Sequence, residues 1–312
     1  MLLVPDYLLF AQHGWADTPQ AIASLAMRLA EPQARVIAPD LGWLNTWLWF
    51  EPLVNKVEQV ATQELARYPE TPLRIVGHSM GGLIWLELLT RHPDWRSRVH
   101  SLVLIASPLG GADLAHLLAR FSGGLGISRA LSQNRRSLAE AIAQTVPTLT
   151  ITGDSDGGSD GTVIAESTRC AYAQNAILPL NHARLKNHPD LIPVIQAFWA
   201  NPQIAPGPEP TLVNRLVQRL RSRLPLFDAH RRDFPRAQVL GRFPDGTTLR
   251  TWRSPFGLDH IFLGDPEGRY AFGGFVESSE AVNLQTEIAA IIRDYARNPS
   301  SLEPHPTPKH NP

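Results

Sequence analysis

Ser79 stands at the centre of Gly77-His78-Ser79-Met80-Gly81. A serine hydroxyl is a weak nucleophile at neutral pH. It becomes competent when a base lies within hydrogen-bond reach and a third group orients that base. The flanks decide whether this is such a serine or only a Gly-rich turn. Leu73 to Val76 is a short apolar run with β-branched residues, which reads as a buried parallel strand. Leu83, Ile84, Leu86, Leu88 and Leu89 read as a buried helix. Strand, tight turn and helix put Ser79 at an apex with strained backbone, where side chains at 77 and 81 would collide with the flanking elements. The pattern favours a nucleophile.

In parallel sheets with covering helices, acting groups gather at the carboxyl ends of the strands. For the base, His182 follows the strand predicted over Ala176 to Leu180 and is preferred. His188 lies slightly later, at the start of the next helix. A loop histidine that only caps that helix is the bland alternative for His182. For the acid, Asp154, Asp156 and Asp160 all follow the strand Thr148 to Thr152. Asp160 is preferred, at the start of a helix that packs back through Val163 and Ile164, with Asp154 as the competitor. This acidic, Gly-rich loop lacks the spaced ligands ending in Glu that a Ca²⁺ loop needs, so neither metal nor cofactor is expected. A developing oxyanion needs backbone N–H donors already aimed at it. Met80, first in its helix, supplies one. The Trp15 amide, in His13-Gly14-Trp15 after an early strand, is the best second donor, with His13 holding that loop.

Alternating strands and helices must position these groups. Tyr7 to Ala11, Arg35 to Ala38, Leu73 to Val76, Val99 to Ala106, Thr148 to Thr152 and Ala176 to Leu180 read as strands. Helices are predicted after Asp17-Thr18-Pro19, over Val54 to Tyr68, after Ser79, over Ala165 to Tyr172 and over Pro189 to Trp199. Residues 109–143 are predicted to form a short helical lid. The loop with Trp43, Leu44, Trp47, Leu48, Trp49 and Phe50 lies on the same sheet edge as the serine. This arrangement defines an α/β domain over residues 1–200, with helices on both faces of a parallel sheet. A Pro-rich linker spans 201–210. Residues 211–298 follow as a small, mostly antiparallel α+β module with turns at Pro244-Asp245-Gly246 and Asp265-Pro266-Glu267-Gly268. A disordered tail is expected over 299–312.

The 312 residues carry 29 basic and 29 acidic side chains, so no global field points to nucleic acid. The module's arginines, among them Arg231, Arg232, Arg236, Arg242, Arg250 and Arg253, read as a solvated face more readily than as a membrane-surface contact. Cys170 is the one cysteine, no run approaches ~18 apolar residues, and no leader pattern is read, so a cytoplasmic chain is expected.

With these residues in place, the chain resembles the α/β-hydrolase superfamily on its esterase and lipase side, over about residues 5–200. The resemblance rests on the His13-Gly14 turn, the Gly77-x-Ser79-x-Gly81 elbow and the chain order Ser, Asp, His. It implies nucleophile Ser79, acid Asp160, base His182 and oxyanion donors Trp15 and Met80. It also implies a minimal sheet that begins at the family's third strand. The expected activity is hydrolysis of a small-molecule carboxylic ester with an apolar acyl or alcohol part. Thioesters and amides could use the same triad. The alternative from another class is a non-catalytic binding or scaffold protein of this fold.

Overall fold

A computed structural model describes residues 4–111 and 126–297. The chain divides into two compact units, Met1–Gly207 and Pro208–Pro312.

The first unit is built on six strands in the order β2-β1-β3-β4-β5-β6. These are β1 (Leu8–Gln12), β2 (Arg35–Ile37), β3 (Leu73–His78), β4 (Val99–Ile105), β5 (Thr148–Gly153) and β6 (Gln174–Leu178). All neighbours pair in parallel. The helices are α1 (Pro19–Leu29), α2 (Phe50–Arg67), α3 (Met80–Arg91), α4 (Gly126–Ser132), α5 (Arg136–Ala143) and α6 (Leu191–Ala200). The near-continuous apolar strands follow from burial on both faces. Leu8, Phe10, Ile75 and Leu104 pack with α2, α3, α4 and α5. Leu9, Ala11, Val76 and Ile151 point the other way, onto α1 and α6. Trp85 of α3 is fully buried, its ring 4.9 Å from that of Phe10.

Several local expectations are corrected. Helix α2 begins at Phe50, four residues before Val54, because Pro52 sits in its first turn and needs no intrahelical donor there. Strand β6 ends at Leu178, two residues early. The helix predicted over Ala165 to Tyr172 is only a 3₁₀ turn, Ala165–Thr168. The Thr168 hydroxyl donates to the Ala165 carbonyl at 2.8 Å, a local bond that competes with helix continuation. No helix starts at Asp160. Residues 159–164 instead close on themselves through a Ser159–Ile164 bridge, with Gly161 at φ +85°. Of the lid, residues 112–125 lie outside the described residues, as does the tail over 299–312. No helix among the described residues is long and apolar enough to cross a membrane.

The second unit has an antiparallel sheet in the order β7-β11-β10-β9-β8. Its strands are β7 (Phe227–Asp228), β8 (Gln238–Arg242), β9 (Thr248–Arg253), β10 (Asp259–Gly264) and β11 (Tyr270–Phe275). Helices α7 (Leu212–Arg223) and α8 (Ala281–Arg297) flank it in sequence. Leu216, Leu220, Leu284 and Ile288 pack on Leu249, Ile261, Leu263 and Phe272. Many of its arginines are spoken for: Arg219 meets Glu287 and Asp294, Arg221 meets Asp228, and Arg236 meets Asp233.

Candidate active site

Strand β3 ends at His78 and helix α3 starts at Met80, so one residue makes the turn. Ser79 carries it at φ +54°, ψ −124°. That conformation costs a non-glycine residue about 1–3 kcal/mol and persists only where neighbours impose it. Here the Ser79 amide donates to the Ile105 carbonyl at 2.8 Å, and its carbonyl accepts from Gly82 at 3.1 Å. The glycines either side are required by contact. A Cβ on Gly77 would lie 2.5 Å from the Gly82 backbone, and one on Gly81 would lie 2.2 Å from the Gln12 carbonyl oxygen.

His182 sits in the loop after β6, four residues beyond its end. Its Nδ1 is 2.7 Å from Asp160 Oδ2, and its amide donates to the Asp160 carbonyl at 2.9 Å. The other carboxylate oxygen, Oδ1, accepts from the Thr162 and Val163 amides at 2.9 and 2.7 Å. Asp160 is thus used on every side, with a side chain 1 % exposed. A carboxylate only accepts, so Nδ1 of His182 is the protonated nitrogen and Nε2 keeps its lone pair. Asp154 does different work: its Oδ1 accepts from the Gly157 and Gly158 amides at 2.8 and 2.7 Å. Asp156 holds the Ser159 amide and hydroxyl. His188 pairs with Arg184 and Asp190.

The ring of His182 lies 4.8 Å from that of His78, the residue before Ser79. The loop after β1 comes to the same place. A Cβ on Gly14 would be 2.9 Å from Ser79 Cβ and 3.4 Å from the Met80 nitrogen. Fully buried His13 fixes this loop. Its Nε2 accepts from the Leu41 amide at 3.0 Å, so its Nδ1–H donates to the Gly14 carbonyl at 3.1 Å. Burial is the largest influence on His13 and pulls its pKa down, which keeps that tautomer neutral. Across a trans peptide the C=O and the following N–H point in opposite directions, so anchoring the Gly14 carbonyl also orients the Trp15 N–H. Among the described residues, no group accepts from the Trp15 or Met80 amides.

Two supports were not read from the sequence. Lys186 and Asp17 form an ion pair at 3.0 Å, tying the segment after His182 to the one after Trp15. The Trp15 ring packs edge-on to Trp47 at 4.3 Å, and Trp47 packs on Trp43 at 5.5 Å. Neither contact has a local sequence signal, because each joins loops brought together only by the sheet order. Among the described residues, no three His, Cys, Asp or Glu side chains are grouped as a metal site requires.

The profile of the serine aminopeptidase S33 family matches residues 4–159. No curated protein matches the chain. Similar solved structures include an esterase from Exiguobacterium antarcticum, 15% identical, covering 64% of this chain and 94% of its own, with a TM-score of 0.46. A bromoperoxidase from Bacillus anthracis is 15% identical over 62% of this chain and 92% of its own, with a TM-score of 0.45. A thioesterase from the prodiginine biosynthetic pathway in Streptomyces coelicolor is 18% identical over 63% of this chain and 85% of its own, with a TM-score of 0.41. By its matched residues, its parallel sheet and its serine elbow, the chain belongs to the serine aminopeptidase S33 family of α/β-hydrolases.

Proposed function

We propose that the protein hydrolyses carboxylic esters with an apolar acyl or alcohol part, through an acyl-enzyme on Ser79. The observation that supports this most is the 2.7 Å contact of His182 Nδ1 with buried Asp160, beside the strained serine elbow. Nε2 of His182 takes the Ser79 proton as Oγ attacks the ester carbonyl. Asp160 stabilises the imidazolium that forms, and the Trp15 and Met80 amides hold the oxyanion. Collapse of the tetrahedral intermediate breaks the bond to the alcohol oxygen, which leaves with the proton from His182. Water then enters, gives its proton to the same nitrogen and releases the acid. The N-terminus of α3 adds a favourable dipole for the oxyanion. An apolar substrate is supported by Trp43, Leu44, Leu48 and Trp49, which are 46, 73, 52 and 60 % exposed on the loop that reaches Trp15. All these groups precede Asn201, and the second unit supplies none of them.

The test pairs a fluorophosphonate probe with p-nitrophenyl esters of increasing acyl length. Wild type is expected to label and to favour longer chains. Ser79→Ala is expected to lose the label and roughly 10⁴-fold or more in kcat, while its far-ultraviolet circular dichroism stays unchanged. Full labelling of the Ala variant would place the nucleophile elsewhere, and an unlabelled wild type would leave a binding protein.

A further inference from the structure

We propose that His78 is a positioning residue for the base, a fourth fixed member of the catalytic group alongside Ser79, Asp160 and His182. This rests on the reading of that triad given above.

The backbone of residue 182 lies in the loop beyond β6 and takes no part in a strand ladder. Three bonds fix it. Two come from Asp160, to the amide and to Nδ1. The third is from His78, whose Nε2 lies 3.2 Å from the His182 carbonyl oxygen. A carbonyl only accepts, so His78 carries its proton on Nε2 and donates it. Among the described residues, no other group donates to that carbonyl. The two imidazoles also touch, with centroids 4.8 Å apart and planes inclined by 48°. The His182 ring is therefore located from two directions, by a carboxylate at Nδ1 and by an imidazole against its side. Because His78 is bonded to Ser79 through the chain, this contact ties the base to the nucleophile's own neighbour. Asp160 alone cannot do that, since it belongs to the loop after β5.

A packing role does not account for His78. Its side chain is buried, and among the described residues no group pairs with its Nδ1. A buried polar atom left unpaired opposes folding, so an apolar ring of similar size would suit the site better if filling space were the task. Burial first, and the proximity of the His182 ring after it, hold the His78 pKa well below the usual histidine value. The ring stays neutral, keeps its one donor on Nε2 and does not compete with His182 as a base.

Three substitutions separate the roles. His78→Phe keeps the ring and loses the donor. His78→Gln carries an amide N–H about where Nε2 was, and His78→Asn ends one bond short of it. Turnover of p-nitrophenyl acetate by His78→Phe is expected to drop ten- to hundredfold in kcat with KM within twofold, because a base misplaced by a fraction of an ångström slows the chemical step and not binding. The far-downfield proton signal of His182 Nδ1–H should broaden or vanish in the same variant. His78→Gln should recover most of kcat, and His78→Asn should not. If the Phe variant fails to fold, the Gln and Asn pair still decides. Wild-type kcat in His78→Phe or in His78→Asn overturns the proposal, as does equal loss in Gln and Asn. Either result stands apart from the triad reading as long as Ser79→Ala abolishes turnover. If Ser79→Ala leaves turnover intact, the triad reading is lost and this proposal with it.

Discussion

The carbonyl oxygen of Gln12 stands 2.2 Å from where a Cβ on Gly81 would be. The end of β1 and the start of α3 thus pass so closely that only hydrogen fits between them. This approach brings the His13-Gly14-Trp15 loop over the Met80 amide. Gly81→Ala must push α3 away from β1, and both partners are backbone, which cannot rotate aside. The variant is expected to lose roughly 1–3 kcal/mol of stability or more, read as a lower unfolding midpoint. Fluorophosphonate labelling of Ser79 should fall with it, even at temperatures where the variant is folded. A midpoint equal to that of wild type would mean the elbow can spread freely.

Asp160 and Asp154 make opposite demands of a carboxylate. In the proposed mechanism Asp160 acts as the carboxylate that stabilises the His182 imidazolium. Asp154 accepts from the Gly157 and Gly158 amides through Oδ1, a role an Asn carbonyl can also fill. Asp160→Asn is therefore expected to cost roughly 10²-fold or more in kcat, and Asp154→Asn little. Steady-state rates on one short ester check the ranking. A larger loss in Asp154→Asn would make the 2.7 Å contact at His182 incidental.

The sheet was legible because burial on both faces writes itself as apolar strands broken by polar turns. The elbow was legible because its glycines answer a steric need visible in five residues. Of the two acids weighed, Asp160 is the one that meets His182, and local order gives no reason for it. Asp160 opens no helix; its position is set by the amides of Thr162 and Val163 and by the bridge of Ser159 to Ile164. What stayed illegible joins distant segments. The contacts of His78 with His182, Lys186 with Asp17, and Trp15 with Trp47 each link two segments far apart in the chain, and no spacing within either segment announces them.

The two buried histidines near the serine have a consequence for stability. His13 and His78 both have pKa values depressed in the folded protein, chiefly by burial. Beside burial, the His182, Lys186 and His13 side chains oppose a positive charge on His78, and the His182 carbonyl that it meets favours one. His13 faces Asp17 and Asp40, which favour its charged form, and Lys186, which opposes it. Net, both rings resist protonation when folded and take a proton near the ordinary value of 6.5 when unfolded. The unfolded state then binds more protons than the folded state below that pH, so stability rises with pH there. The stabilisation is complete above about 6.5 and is lost as the pH falls toward the folded values. Wild-type melting temperature is expected to be flat from about pH 8 to 7 and to decline from about pH 6.5 to 5, before most carboxylates titrate. His100 and His260 are lowered by burial in the same direction, and His78→Phe removes one of these four histidines, so its decline over the same interval should be shallower, whatever its absolute stability. A wild-type curve that stays flat to pH 5, or a decline of equal slope in the variant, would show that His78 takes up its proton in the folded protein as readily as in the unfolded chain.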